Sequence, residues 1–241
     1  MLGKTKGIVL HSIPYNDKYN IICIYTEQFG RVSYMVARSR GKRSAITKAV
    51  YMPLSVLEMD VEHKPNQDIH RIKEAKIAMP LNDVYCNPIK NLIILFIAEV
   101  LYRALRETES DKRVFAYIEE SIRFFEMADM GIANFHIMFL MNLPRFLGLF
   151  PNVETYSTGR YFDMINGVFT DSVPLHKHFL NKKESVVFMR LTKMDKENLS
   201  LFKFSRLERS AIINKILEYY RLHIPNFPEI KSLSILQSLY D

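Results

Sequence analysis

The chain has 241 residues, 48% of them hydrophobic, and a formal net charge of +7, a composition that excludes an intrinsically disordered chain and suffices to bury one large core or two small ones. The charge is not evenly spread: residues 1–76 hold 13 Lys+Arg against 7 Asp+Glu, while residues 77–241 hold 20 against 19. A positive field carried by one small module implies a polyanionic partner, nucleic acid ahead of an anionic membrane surface. The opening Met1-Leu2-Gly3-Lys4-Thr5-Lys6 has no signal-peptide pattern, and Leu2 rather than glycine follows the initiator, so neither secretion nor myristoylation is expected. The most apolar run, 137–150, is interrupted by Asn142, Pro144 and Arg145 and is too short to span a bilayer. Two cysteines, Cys23 and Cys86, make neither a disulfide framework nor a thiolate metal site, which fits a reducing, cytoplasmic compartment.

Taken in chain order, the first 77 residues read as five strands: 5–12, 19–26, 31–37, 51–60 and 69–77. Val32, Tyr34 and Val36 share one face of the third. Glu27-Gln28-Phe29-Gly30 forms the turn before it, with Gly30 suited to positive φ, and Lys64-Pro65-Asn66-Gln67-Asp68 joins strands four and five. Five short strands with no long helix between them suggest a small closed barrel of the oligonucleotide-binding (OB) type. Pro80 and Pro88 bracket a linker, after which the spacing turns helical. Helices are expected from residue 89, from an N-cap at Asp111, over 132–149 with Pro144 kinking or ending it, over 184–193, 205–222 and 230–239. Residues 156–174 read as irregular or weakly stranded. The domain division is 1–79, an OB-fold nucleic-acid-binding domain, and 80–241, a helical domain for packing and partner binding.

Between Gln28 and Leu57 stand Arg31, Arg38, Arg40, Lys42, Arg43 and Lys48 with no Asp or Glu among them. Most lie in the connection between strands three and four, where flexible cations can follow a phosphate backbone without fixing a sequence. Lys6, Arg71 and Lys73 extend the expected positive face, Arg71 and Lys73 from one side of strand five. Tyr34 and Tyr51 flank the basic connection and are candidates to stack a base; the alternation also allows either in the core, which is the better reading. Enzyme readings fare poorly: Gly41-Lys42 lacks the glycine-rich pattern of a P-loop, and His63 near Glu58, Asp60 and Glu62 reads as a solvated turn. Asp60 and Glu62 lack a third metal ligand, and Cys23, between Ile22 and Ile24, reads as core. No catalytic residue, metal ligand or cofactor is expected.

The segments Lys6-Gly7-Ile8-Val9-Leu10, Thr26-Glu27-Gln28-Phe29-Gly30, Ala37-Arg38-Ser39-Arg40-Gly41, Leu143-Pro144-Arg145-Phe146-Leu147-Gly148-Leu149-Phe150-Pro151 and Ile230-Lys231-Ser232-Leu233-Ser234-Ile235-Leu236 recur in the order and spacing of a known family. On them the chain resembles the bacterial RecO family of recombination mediators over essentially its whole length, the helical half being most similar to the forms from Bacteroides-like bacteria. The resemblance implies an OB barrel followed by a helical domain, binding of single- and double-stranded DNA, annealing of complementary strands, and a cytoplasmic, nucleoid-associated protein. It implies action with RecR in loading the RecA recombinase onto gaps coated with single-stranded DNA-binding protein, and docking of that protein's acidic, Phe-ended tail. For the tail, Arg145, Lys215, Arg221 and Lys231 are the candidate cations. Many members hold zinc with four cysteines after the kinked helix; residues 152–179 have none, and His176 and His178 alone are a weak ligand set, so no zinc is expected. Two other classes stay open: a single-stranded RNA-binding OB protein, and a structural adaptor without nucleic-acid contact.

Overall fold

The computed structural model describes residues 2–38, 49–64, 67–106 and 109–238. Five strands, β1 (Leu2–Pro14), β2 (Tyr19–Thr26), β3 (Gly30–Ala37), β4 (Val56–Glu62) and β5 (Ile69–Met79), close into a barrel in the order β1-β2-β3-β5-β4. All pairings are antiparallel except β3 with β5, which run parallel through Ser33↔Ile69, Tyr34↔His70 and Met35↔Arg71. Alternation drives the assembly: Val9, Ile22, Ile24, Val32, Tyr34, Leu57, Met59 and Val61 point inward and form the barrel core, while their neighbours face outward. The turn before β3 has the expected chemistry. Gly30 takes φ 64°, the Phe29 N–H donates to Thr26 Oγ1 at 3.0 Å, and that hydroxyl donates to the Gly30 carbonyl at 2.9 Å. At Gly7 a Cβ would fall within 2.6 Å of Met59 and Ile24 side-chain atoms, so only a glycine lets β1 lie this close to the core.

Strand four begins at Val56, five residues later than its sequence pattern suggests. Leu54 sits at φ 59° with its side chain fully buried, its N–H bonded to the Val9 carbonyl at 2.7 Å, while the Ser55 N–H returns to the Met52 carbonyl at 3.0 Å. The chain around Pro53 is a turn whose apolar residues are buried by tertiary contact, not by a strand.

Helices follow as α1 (Asn82–Cys86), α2 (Pro88–Ala104) and α3 (Lys112–Met127). Asn87 caps α2 by accepting from the Ile89 and Lys90 N–H groups at 3.0 and 3.3 Å, with Pro88 in the first turn where its missing N–H costs nothing. Asp111 caps α3 as expected, accepting from the Arg113 N–H at 2.7 Å and the Val114 N–H at 3.4 Å. α1 occupies the expected linker. The Asp83 and Val84 N–H groups donate to Glu126 of α3 at 2.9 Å each, while the fully buried Lys90 ammonium bonds the Glu126 carbonyl at 3.1 Å and pairs with Asp83. The barrel, α1–α3 and residues 230–238, including α7 (Ser232–Ser238), form one compact unit, and residues 128–229 a second. The composition break at residue 79 therefore does not coincide with the division into compact units. α7 is held through Glu99 of α2, whose carboxylate accepts from the Lys231 N–H, the Ser232 N–H and the Ser232 hydroxyl at 3.0, 2.8 and 2.5 Å.

The second unit contains α4 (Phe135–Phe146), a three-stranded sheet of β6 (Tyr161–Asp163), β7 (Val168–Thr170) and β8 (Phe179–Leu180), then α5 (Lys182–Leu191) and α6 (Arg206–His223). Pro144 lies inside α4 and deprives the Leu140 carbonyl of its usual N–H partner. The buried Tyr220 hydroxyl supplies the replacement, donating to that carbonyl at 2.8 Å. The small sheet is packed on rings: Phe162 lies 4.5 Å from Phe188 and 4.8 Å from Phe169, and Tyr156 meets Phe169 edge-on at 5.0 Å. His176 is paired with Asp163 and His178 with Glu218, in separate contacts.

Candidate nucleic-acid interface

Four of the expected phosphate contacts, Arg40, Lys42, Arg43 and Lys48, lie outside the described residues. Arg38, at the end of β3, is exposed; its Nε donates to Asn20 Oδ1 at 2.7 Å and its backbone N–H to the Lys18 carbonyl at 2.7 Å. This brings Lys18, an exposed cation of the β1–β2 turn, next to the start of the basic connection. Sequence spacing placed Lys18 some twenty residues from the cluster; only the β2–β3 pairing reveals the proximity.

Arg31 is a correction. Its Nη1 donates to the Tyr102 and Leu105 carbonyls, both at 3.1 Å, its Nε reaches Cys23 Sγ at 3.1 Å, and the guanidinium stacks 4.4 Å from the Tyr102 ring centre. Arg31 ties the barrel to the C-terminal end of α2 and is committed there, not to phosphate. Tyr34 is corrected as well: it is fully buried in the barrel core with its hydroxyl 2.9 Å from His63 Nε2, and burial raises its pKa well above the ordinary phenol value. It has no face for a base. Tyr51 packs half-buried against the same core.

Lys6 pairs with Glu119 at 2.9 Å. Lys4 and Lys6 share a shallow surface depression with Glu27, Glu58, Asp60 and Glu74, so this side of the barrel is of mixed sign. Arg71 and Lys73 are both exposed on one side of β5, with Ile72 between them on the core; the alternation breaks only beyond Lys73, where the ladder shifts between Asp60 and Val61 and residues 73 and 74 both face outward before Ala75 packs on the core. Arg38, Arg71 and Lys73 are thus the described members of the expected set that remain exposed cations.

The sequence reading missed a ring stack on the barrel. His63, read as a solvated turn, lies with its ring 4.2 Å from Phe29 and 4.3 Å from His70, nearly parallel to the latter at 13°. Burial first, and the adjacent His70 second, lower the His63 pKa below the ordinary histidine value. The stack joins three separated stretches of chain and leaves no local periodicity to read.

Of the four cations expected to receive an acidic tail, Arg145 donates to the Thr192 carbonyl at 2.8 Å and Asn142 Oδ1 at 3.1 Å and lies over the Phe150 ring at 3.6 Å. Arg221 and Lys231 are exposed, Lys231 in the first unit and the other three in the second. Lys215 pairs with Glu218 at 3.0 Å and borders an apolar groove of about 290 Å³ between α5 and α6, lined by Leu180, Val187, Phe188, Leu191, Phe204 and Ile212.

A five-stranded closed barrel with β3 and β5 parallel, continuing into helices, defines an OB-fold protein with an appended helical region. Residues 1–81 match the family model described as Recombination protein O N terminal, and residues 87–233 the one described as Recombination protein O C terminal. The chain is 46% identical over 241 residues to the DNA repair protein RecO of Azobacteroides pseudotrichonymphae, 45% over 240 residues to that of Phocaeicola vulgatus, and 43% over 242 residues to that of Bacteroides fragilis, each comparison covering the whole of both chains. The chain belongs to the RecO family. Among the described residues no helix is long and apolar enough to cross a membrane.

Proposed function

We propose that this chain binds single- and double-stranded DNA through the cation-rich edge of its barrel, anneals complementary strands, and helps load a recombinase onto gaps coated with single-stranded DNA-binding protein during recombinational repair. The observation that carries this reading is the acid-free stretch 28–57, which holds six cations in the barrel third of a chain otherwise near neutrality, with Arg38 exposed where β3 ends. Annealing needs no covalent step and no cofactor: neutralising two polyanions and holding them together converts a repelled bimolecular encounter into a local one. The protein acts without catalytic residues, in the cytoplasm at the nucleoid, and with RecR as the family likeness implies.

The coating protein's acidic tail docks in the groove between α5 and α6, where apolar walls suit a terminal Phe ring and Lys215 and Lys183 border the opening. Glu184 and Glu208 also line it, but their carboxylates are turned to the N–H groups of Asn181 and Ser205 at 2.8 and 2.7 Å in the caps of α5 and α6. The test is annealing of complementary strands coated by the cognate single-strand binder, with and without its acidic tail. Faster annealing that requires the tail supports the reading; a chain that neither binds the naked strands nor accelerates their annealing refutes it. Matched RNA strands in the same assay separate a DNA protein from an RNA-binding one.

A further inference from the structure

We propose that the ring stack formed by Phe29, His63 and His70 receives an unpaired nucleobase, with His70 as its stacking partner. This rests on the nucleic-acid reading above and adds to phosphate contact a subsite that senses the base. The platform is built by three segments: Phe29 from the β2–β3 turn, His63 from the end of β4, and His70 from the start of β5, with centroid spacings of 4.2 and 4.3 Å. Phe29 roots the stack by packing on the barrel core. The Tyr34 hydroxyl, 2.9 Å from His63 Nε2, holds that ring from beneath. The Lys64 N–H donates to His70 Nδ1 at 3.3 Å, which fixes the orientation of that ring. Three hydrogen-bonded or packed rings are therefore pre-oriented, while His63 and His70 both keep partial exposure.

The chemistry suits a base and not a phosphate. Burial and the neighbouring imidazole lower the pKa of His63, the middle ring, which disfavours a positive charge beneath the His70 face that the base would meet. The charge for the backbone lies alongside. Exposed Arg71 follows His70 directly, and Tyr34, paired with His70 across the parallel ladder, stands four residues before Arg38, about 13 Å along β3. Glu62, opposite Arg71 on β4, is the nearby acid in the register.

The experiment is titration of the full-length protein with two labelled strands of equal length, one containing 2-aminopurine and one built of abasic spacers. The wild-type protein is expected to prefer the base-bearing strand and to quench the 2-aminopurine. His70→Ala should remove that preference, weakening the base-bearing strand about 5- to 100-fold while leaving the abasic strand and the salt slope unchanged. His70→Phe, which keeps a ring, should retain it. If His70→Ala does not fold, His70→Thr, ring-less but suited to a strand, gives the same reading. Retained preference and quenching in the folded ring-less variant overturn the proposal. A wild-type protein that binds both strands equally also overturns it while leaving DNA binding intact; one that binds neither overturns the DNA reading and this one together.

Discussion

The Arg31 guanidinium meets two carbonyls at the end of α2, a thiol and an aromatic face within one side chain's reach. Carbonyls at a helix C-terminus lack intrahelical donors and carry the negative end of the helix dipole, so a cation there satisfies both. A lysine has neither the planar fork nor the stacking face. Arg31→Lys is therefore expected to lower stability by about 2 kcal/mol in urea unfolding and to leave the salt dependence of DNA binding as in wild type. An unchanged midpoint with a flattened salt slope would return Arg31 to the phosphate contacts. His136 is the second case. It is fully buried in α4, and burial, with a smaller contribution from Arg209, lowers its pKa to about 3. The unfolded chain binds a proton near pH 6.5 that the folded protein does not, so this contribution is complete above that pH and is lost as pH falls from about 6.5 toward 3, at up to about 1.4 kcal/mol per pH unit. His136→Phe should flatten the acid limb of a pH series of unfolding midpoints; a limb as steep as wild type assigns it to other groups.

At the scale of elements, those with local signals were legible. β2 spans the expected 19–26, and β1, β3 and β5 differ from expectation only at their ends. α6 starts after Ser205, whose hydroxyl and Glu208 form a reciprocal cap that spacing alone announces. α1 was not legible because its cap comes from Glu126, more than forty residues on. β4 was read too long because Tyr51, Met52 and Leu54 are apolar for burial in a turn, and periodicity cannot separate that from a strand. The basic connection after β3 carries the element-scale prediction. Arg38→Glu with Lys42→Glu should weaken binding to all DNA sequences about equally and reduce the salt slope by about 1 to 2. Wild-type affinity and slope in a salt titration would remove this connection from the interface.

For the whole molecule, patterning alone carried the architecture: alternation and short turns in the first third, helical spacing afterwards, and a charge excess confined to the first third. These are local or additive properties, and a barrel of alternating strands has few ways to bury one face of each. The fate of individual cations and rings was not local. Lys6, Arg31 and Arg38 all belong to the basic first third of the chain, yet Glu119 and the α2 carbonyls engage the first two, while β3 leaves Arg38 at the surface beside Lys18. Glu99 draws residues 231 and 232 into the first unit across more than a hundred residues of chain. Phe29, His63 and His70 meet because parallel pairing of β3 with β5 closes the barrel beside them. The barrel, most of the helices and the place where positive charge concentrates could be read from the chain alone, because periodicity and composition act over a few residues. Tertiary structure decided which charges remain available and which rings stack, because those depend on partners that only strand register and helix packing bring within reach.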